Sequence, residues 1–145
     1  MRHRCLALAA VLPFVAADCA TQPDTVRVPG LIADGGAALE VYSGPDTVTA
    51  GRAFAAIVFT YGSSSCTTPD GADVSVSGLT AEVVPYDRIP TGSVPCTADF
   101  AQRPHAVTLR FDTVGAAALT VRGEGFSGGR RVPLRRTFTI VVVPA

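Results

Sequence analysis

Apolar and polar residues alternate along most of this chain, in short runs set apart by Gly and Pro. Leu39-Glu40-Val41-Tyr42 is one such run, and Gly44-Pro45-Asp46 supplies a turn after it. Residues 53–61 (AFAAIVFTY) are apolar at successive positions, as in a central strand buried on both faces. In residues 73–84, Val74 and Val76 share one face; beyond Gly78 the alternation resumes as Leu79, Ala81 and Val83, so Gly78 reads as a bulge or kink. Val107, Leu109 and Phe111 form another period-2 set, Ala117, Leu119 and Val121 the next. Residues 132–143 close the series with Phe138, Ile140 and Val142 on one face. No window carries the i, i+3, i+4, i+7 pattern of a long amphipathic helix. No repeat is evident that would build a solenoid or propeller.

This pattern predicts an all-β chain: a two-sheet antiparallel sandwich of about seven strands. The inward set would be Phe54, Ile57, Val58, Phe59, Val76, Val83, Leu109, Phe111, Leu119, Val121, Phe138 and Ile140. Thr113-Val114-Gly115 joins two runs closely, and residues 123–129 (GEGFSGG) read as a Gly-rich loop. Two connections are long. Residues 62–72 hold Cys66 and residues 85–105 hold Cys96. In the second, Thr97 is placed to cap a short helical turn over residues 98–103, which Pro104 would stop.

Composition narrows the class. The chain has 145 residues, 48% hydrophobic and 17% charged, which excludes a disordered polyampholyte. Gly 14 and Pro 11, without a three-residue period, suit neither a helical bundle nor collagen. All 12 cations are Arg, balanced by 12 acidic residues, so no dense basic charge marks a nucleic-acid binder.

The opening residues read as an export address. Arg2, His3 and Arg4 precede an apolar run over residues 5–17, too short for the roughly 20 residues of a membrane-crossing helix. Val15-Ala16-Ala17 suits cleavage before Asp18. The stretch Val15-Ala16-Ala17-Asp18-Cys19-Ala20 also resembles the end of a bacterial lipoprotein signal, with Asp18 where that motif carries a small residue. The resemblance implies Cys19 as the lipidated first residue. The expected organisation is a signal over residues 1–18, a tether over 19–29 and a β-sandwich domain over 30–145. In an oxidising compartment Cys66 and Cys96 are the natural disulfide pair, because both lie in loop-like sequence of the folded part.

Thr47-Val48-Thr49-Ala50-Gly51-Arg52-Ala53-Phe54, leading into residues 55–61, resembles the opening of bacterial extracellular immunoglobulin-like domains. The likeness covers the layout of residues 30–143. The chain departs from true immunoglobulin domains in having no Trp and in a cysteine spacing of only 30 positions. What the resemblance implies is an immunoglobulin-like sandwich with no assigned activity.

Chemistry would sit in the loops. Cys66, Cys96 and His105 are a conceivable zinc set, but their spacing matches no short-loop site and oxidation favours the bridge. Asp70 and Asp73 lack the full calcium-loop pattern, and Pro-Asp-Gly is what a plain turn needs. A nucleophilic Ser among Ser63, Ser64 and Ser65 would need His105 as its base, and no G-x-S-x-G elbow is present. Glu82 and Asp87 are a conceivable acid–base pair, of a kind most sequences offer. Arg130, Arg131, Arg135 and Arg136 form the one charge cluster, with Arg131 and Arg135 on one strand face and Arg130 and Arg136 on the other. They suit contact with a polyanion through bidentate donation, or a plain solvated hairpin.

The expectation is therefore an exported, non-catalytic cell-envelope or surface module with no cofactor or metal. Its interaction face would be the disulfide-pinned loops, with Tyr86, Ile89 and Phe100 either sealing the sandwich end or meeting a partner. Partners would be the membrane through a lipid anchor and an envelope protein or glycan, with no nucleic acid. A glycan or polyanion binder using the Arg cluster is the first alternative, a metal-dependent enzyme the second.

Overall fold

The computed structural model describes residues 24–34 and 39–145. The expected signal over residues 1–18, Cys19 and the tether residues 20–23 lie outside the described residues. The described chain is all strand and connection: β1 (Thr25–Pro29), β2 (Tyr42–Ser43), β3 (Thr47–Thr49), β4 (Ala53–Gly62), β5 (Thr68–Ser77), β6 (Thr80–Pro90), β7 (Ala101–Arg110), β8 (Gly115–Ser127) and β9 (Arg130–Val143).

Two sheets form. A six-stranded sheet runs β1-β6-β8-β9-β3, with β5 also paired to β6, and a three-stranded sheet runs β2-β4-β7. The larger sheet is mixed, which corrects the antiparallel expectation: β6 pairs β8 in parallel, and β3 pairs β9 in parallel. The cause is the path of the chain. Between β6 and β8 it crosses to the other sheet as β7, so β8 returns pointing the same way as β6, as a crossover allows and a hairpin does not.

Three local expectations fail for the same reason: backbone groups along long strands find partners. First, residues 25–29 of the expected tether are β1, paired from Thr25↔Pro90 to Pro29↔Tyr86. β8 reaches β6 only over residues 80–83, leaving the rest of that edge of β6 to be satisfied. Second, the long loop over residues 85–105 shrinks to residues 91–100, and no helical turn forms over 98–103. Ala101, Gln102 and Arg103 pair instead with Gly62, Tyr61 and Thr60, completing the ladder along β4. Pro104 stands inside β7, an edge strand, where a residue without an N–H is tolerated. Third, the Gly-rich stretch is a hairpin. β8 and β9 stay paired to Ser127↔Arg130, and Gly128 and Gly129 turn the chain with φ of +56° and +76°. Gly78, φ +56°, likewise reverses the chain between β5 and β6 and is no bulge.

The core lies between the sheets. Val58, Val83, Leu109, Phe111, Leu119, Val121 and Ile140 are buried as expected, with Phe54, Phe59 and Phe138 half-buried against them. Fully burying one such side chain contributes about 1.5–3 kcal/mol. Ile57 and Val76 depart from the expectation, at 39% and 41% exposure. On β4 the inward positions are Ala56, Val58 and Thr60, so period 2 turns Ile57 outward. Val76 faces the same way as its buried partner Ala81, but β5 pairs with β6 alone and is an outer strand, exposed along Val74 to Ser77.

Candidate functional site

A pocket of about 340 Å³ opens at one end of the sandwich. The ends of β1, β4 and β6, the connection over residues 91–100 and the β8–β9 hairpin tip enclose it. Its walls are largely apolar, with Val28, Leu31, Tyr61, Ile89, Phe100 and Phe126 prominent. Tyr61 and Phe100 stack with centroids 5.2 Å apart and planes 11° off parallel. The Tyr61 hydroxyl donates to the Glu40 carbonyl at 2.7 Å, which holds the ring. Burial comes first in pushing the Tyr61 phenol above its ordinary pKa, since desolvation disfavours the phenolate.

The rim is stapled. Cys66 and Cys96 form a disulfide with Cα atoms 5.6 Å apart, and both line the pocket. Around it Ser63 and Thr97 share a hydroxyl hydrogen bond of 2.9 Å, and the Thr97 N–H donates to Ser65 Oγ at 2.9 Å. The Thr97 hydroxyl and the Ser64 N–H donate to the Asp99 carboxylate and hold its pKa down, at about 2. Thr97 thus serves the loop, and the helix cap expected of it is absent. Arg103 reaches from β7 to donate to the Ser63 carbonyl at 2.8 Å.

Beneath the pocket lies a buried polar cluster spanning both sheets. Thr60 on β4, His105 on β7 and Asp87 on β6 are almost wholly shielded. Nε2 of His105 is 2.9 Å from Thr60 Oγ1 and 3.3 Å from Asp87 Oδ1, while Nδ1 donates to the Gly71 carbonyl at 3.0 Å. Asp87 Oδ1 makes no hydrogen bond, and Asp87 also lines the pocket. Gly30 fits against this cluster because it has no side chain: a Cβ there would stand 2.2 Å from Thr60 Cγ2 and 2.8 Å from Asp87 Oδ2. The three groups do not form a nucleophile relay. Hydroxyl and carboxylate meet the same imidazole nitrogen, whereas a relay needs the carboxylate on the opposite one, and Thr60 is sealed from any substrate.

The expected site residues divide. Ile89 and Phe100 line the pocket; Tyr86 does not. One step along β6 turns its ring to the outer face, where the Arg27 guanidinium stacks 3.5 Å from its centroid. Glu82 and Asp87 are likewise on opposite faces, and Glu82 accepts from Arg122 at 2.8 Å. Asp70 pairs with Arg27 and Arg88 at 3.4 and 3.1 Å, and Asp73 with Arg27 at 3.3 Å. Cys66 and Cys96 are bonded to each other and His105 is enclosed elsewhere, so the zinc set does not assemble.

The four arginines do not act as one patch. Arg131 pairs with Glu124 at 2.9 Å beside the pocket. Arg136 donates to the Asp34 carbonyl at 2.7 Å. Arg135 lies in an outer depression with Tyr86, Arg122 and Pro133, and Arg130 sits exposed at the hairpin tip.

The Thr60–Asp87–His105 cluster escaped the sequence reading, although a signal was there. His105 continues the inward series of Val107, Leu109 and Phe111, and Asp87 continues that of Ala81, Val83 and Pro85. Reading the loop as starting at residue 85 cut both series short.

No protein-family model, curated protein or solved structure matches this chain.

Proposed function

We propose that the chain is an exported, non-catalytic envelope or surface module of immunoglobulin-like layout that binds a partner at its disulfide-rimmed end. The carrying observation is the pocket: apolar walls, a covalently stapled rim and a buried carboxylate beneath. Concave apolar sites with a few fixed polar groups are where small ligands bind. The disulfide suits an oxidising compartment and so supports the export reading of the leader. The non-catalytic reading draws on the closed, misoriented hydroxyl–imidazole–carboxylate cluster.

The test is expression of the full chain in a bacterial host, followed by fractionation and intact mass. A mature product found outside the cytosol, with Cys66 joined to Cys96, is the expected result. Its first residue then distinguishes a free Asp18 from a lipidated Cys19. A cytosolic product with leader and free thiols intact would overturn the reading.

A second reading, glycan or polyanion binding on the outer face of the six-stranded sheet, is favoured by one observation. Tyr86 presents an aromatic face in the same depression as Arg122 and Arg135. It predicts salt-sensitive retention on an anionic resin that weakens in Arg122→Ala and Arg135→Ala. Retention unchanged in both would remove it.

A further inference from the structure

The pocket's floor and walls ask for different things from a ligand. The walls are aromatic and aliphatic, with Phe100 and Phe126 more than half exposed. Such rings attract apolar bodies, and their faces attract cations. The floor includes Asp87, only 2% exposed. His105 Nε2, 3.3 Å from Asp87 Oδ1, is closer to Thr60, and the other imidazole nitrogen serves Gly71. Asp87 Oδ1 is left without a hydrogen bond. A shielded carboxylate oxygen without a donor is costly, and a buried polar atom left unmatched calls for an explanation.

We infer that the pocket takes a small amphiphilic cation: an organic ammonium whose apolar body lies among Tyr61, Phe100, Phe126 and Ile89 and whose N–H donors reach Asp87. This deepens the binding-face reading above and rests on it. An anionic head would meet the carboxylate unfavourably. Arg131 at the rim does not reverse that sign, because Glu124 already balances it at 2.9 Å. A neutral apolar ligand would fill the walls and leave Asp87 unmatched. Arg103, the other cation close by, donates through Nη2 to the Ser63 carbonyl; its buried Nε has no hydrogen bond, but Arg103 does not line the pocket.

The experiment uses the full chain with its disulfide intact and three probes sharing one skeleton: phenethylammonium, phenethyl alcohol and phenylacetate. Affinities are read by calorimetry and by NMR shifts of the Tyr61 and Phe100 rings. The ammonium is expected to bind about ten-fold or more tighter than either analogue, the size of a charge-assisted hydrogen bond at a shielded site. Asp87→Asn should abolish that preference and leave weak binding common to all three. Phe100→Ala should weaken all three alike. If Asp87→Asn fails to fold, the wild-type series decides alone. Equal binding of ammonium and alcohol, or tightest binding of phenylacetate, would overturn the cation assignment and leave the binding face standing. Failure of all three probes to bind or to move either ring would overturn both.

Discussion

His105 Nε2 lies 3.3 Å from Asp87 Oδ1, with both side chains almost wholly shielded and each carried by a different sheet. The contact ties β7 to β6 where a sandwich normally has only apolar packing. His105 is matched on both ring nitrogens, by Thr60 and by the Gly71 carbonyl, and shielded groups matched in this way are expensive to leave alone once the partner is removed.

His105→Ala strips Thr60 and the Gly71 carbonyl of their shared partner and removes the imidazole that faces Asp87 Oδ1. We expect a loss of about 2–5 kcal/mol in urea unfolding, about 1–3 for each hydrogen-bonding group left unmatched. Arg110→Ala breaks the exposed pair with Asp112 and should cost under about 1 kcal/mol. Similar losses in the two variants would refute the role given to the cluster.

The disulfide closes a segment spanning 30 positions. Replacing both cysteines by Ser should destabilise the chain by roughly 3–4 kcal/mol in the chain-entropy model. Wild-type protein in excess reductant should approach the same unfolding midpoint. A double variant as stable as the oxidised parent would show that the staple contributes little.

Leu119 and Val76 look alike in the alternating pattern and differ in three dimensions. Leu119→Ala should cost about 2–5 kcal/mol, because it leaves a cavity between the sheets. Val76→Ala, at 41% exposure, should stay within about 0.5 kcal/mol. Calorimetric melting of the two variants separates them.

Asp99 should titrate near 2 by carboxyl-carbon NMR, with the Thr97 hydroxyl the main cause. Its folded pKa is depressed, so whatever it lends the loop is fully present above its ordinary 3.8 and is lost as pH falls through about 2. Thr97→Ala should return the value towards the ordinary one. An unshifted Asp99 in the parent protein would contradict the loop network.

Much of the architecture can be read from alternation alone. Leu109 and Phe111, or Leu119 and Val121, declare their shared inward face because successive strand residues point to opposite sides of the pleat. The pairing of Cys66 with Cys96 follows from the same economy, two thiols left in loop-like sequence. At the site, Ile89 and Phe100 were legible as loop apolars near the staple. Tyr86 was not separable from them until β6 was known to run through Pro90.

The sequence by itself determined that the chain is strand-forming and which residues share a face, since both are local consequences of backbone pleat and side-chain type. Only the tertiary structure decided which strands are neighbours and in which direction, why Val76 stays exposed while Leu119 does not, and that Thr60, Asp87 and His105 meet beneath one pocket. Those outcomes depend on where the chain crosses between sheets and which backbone edges that leaves to be satisfied. Neither quantity is carried by any short window of residues.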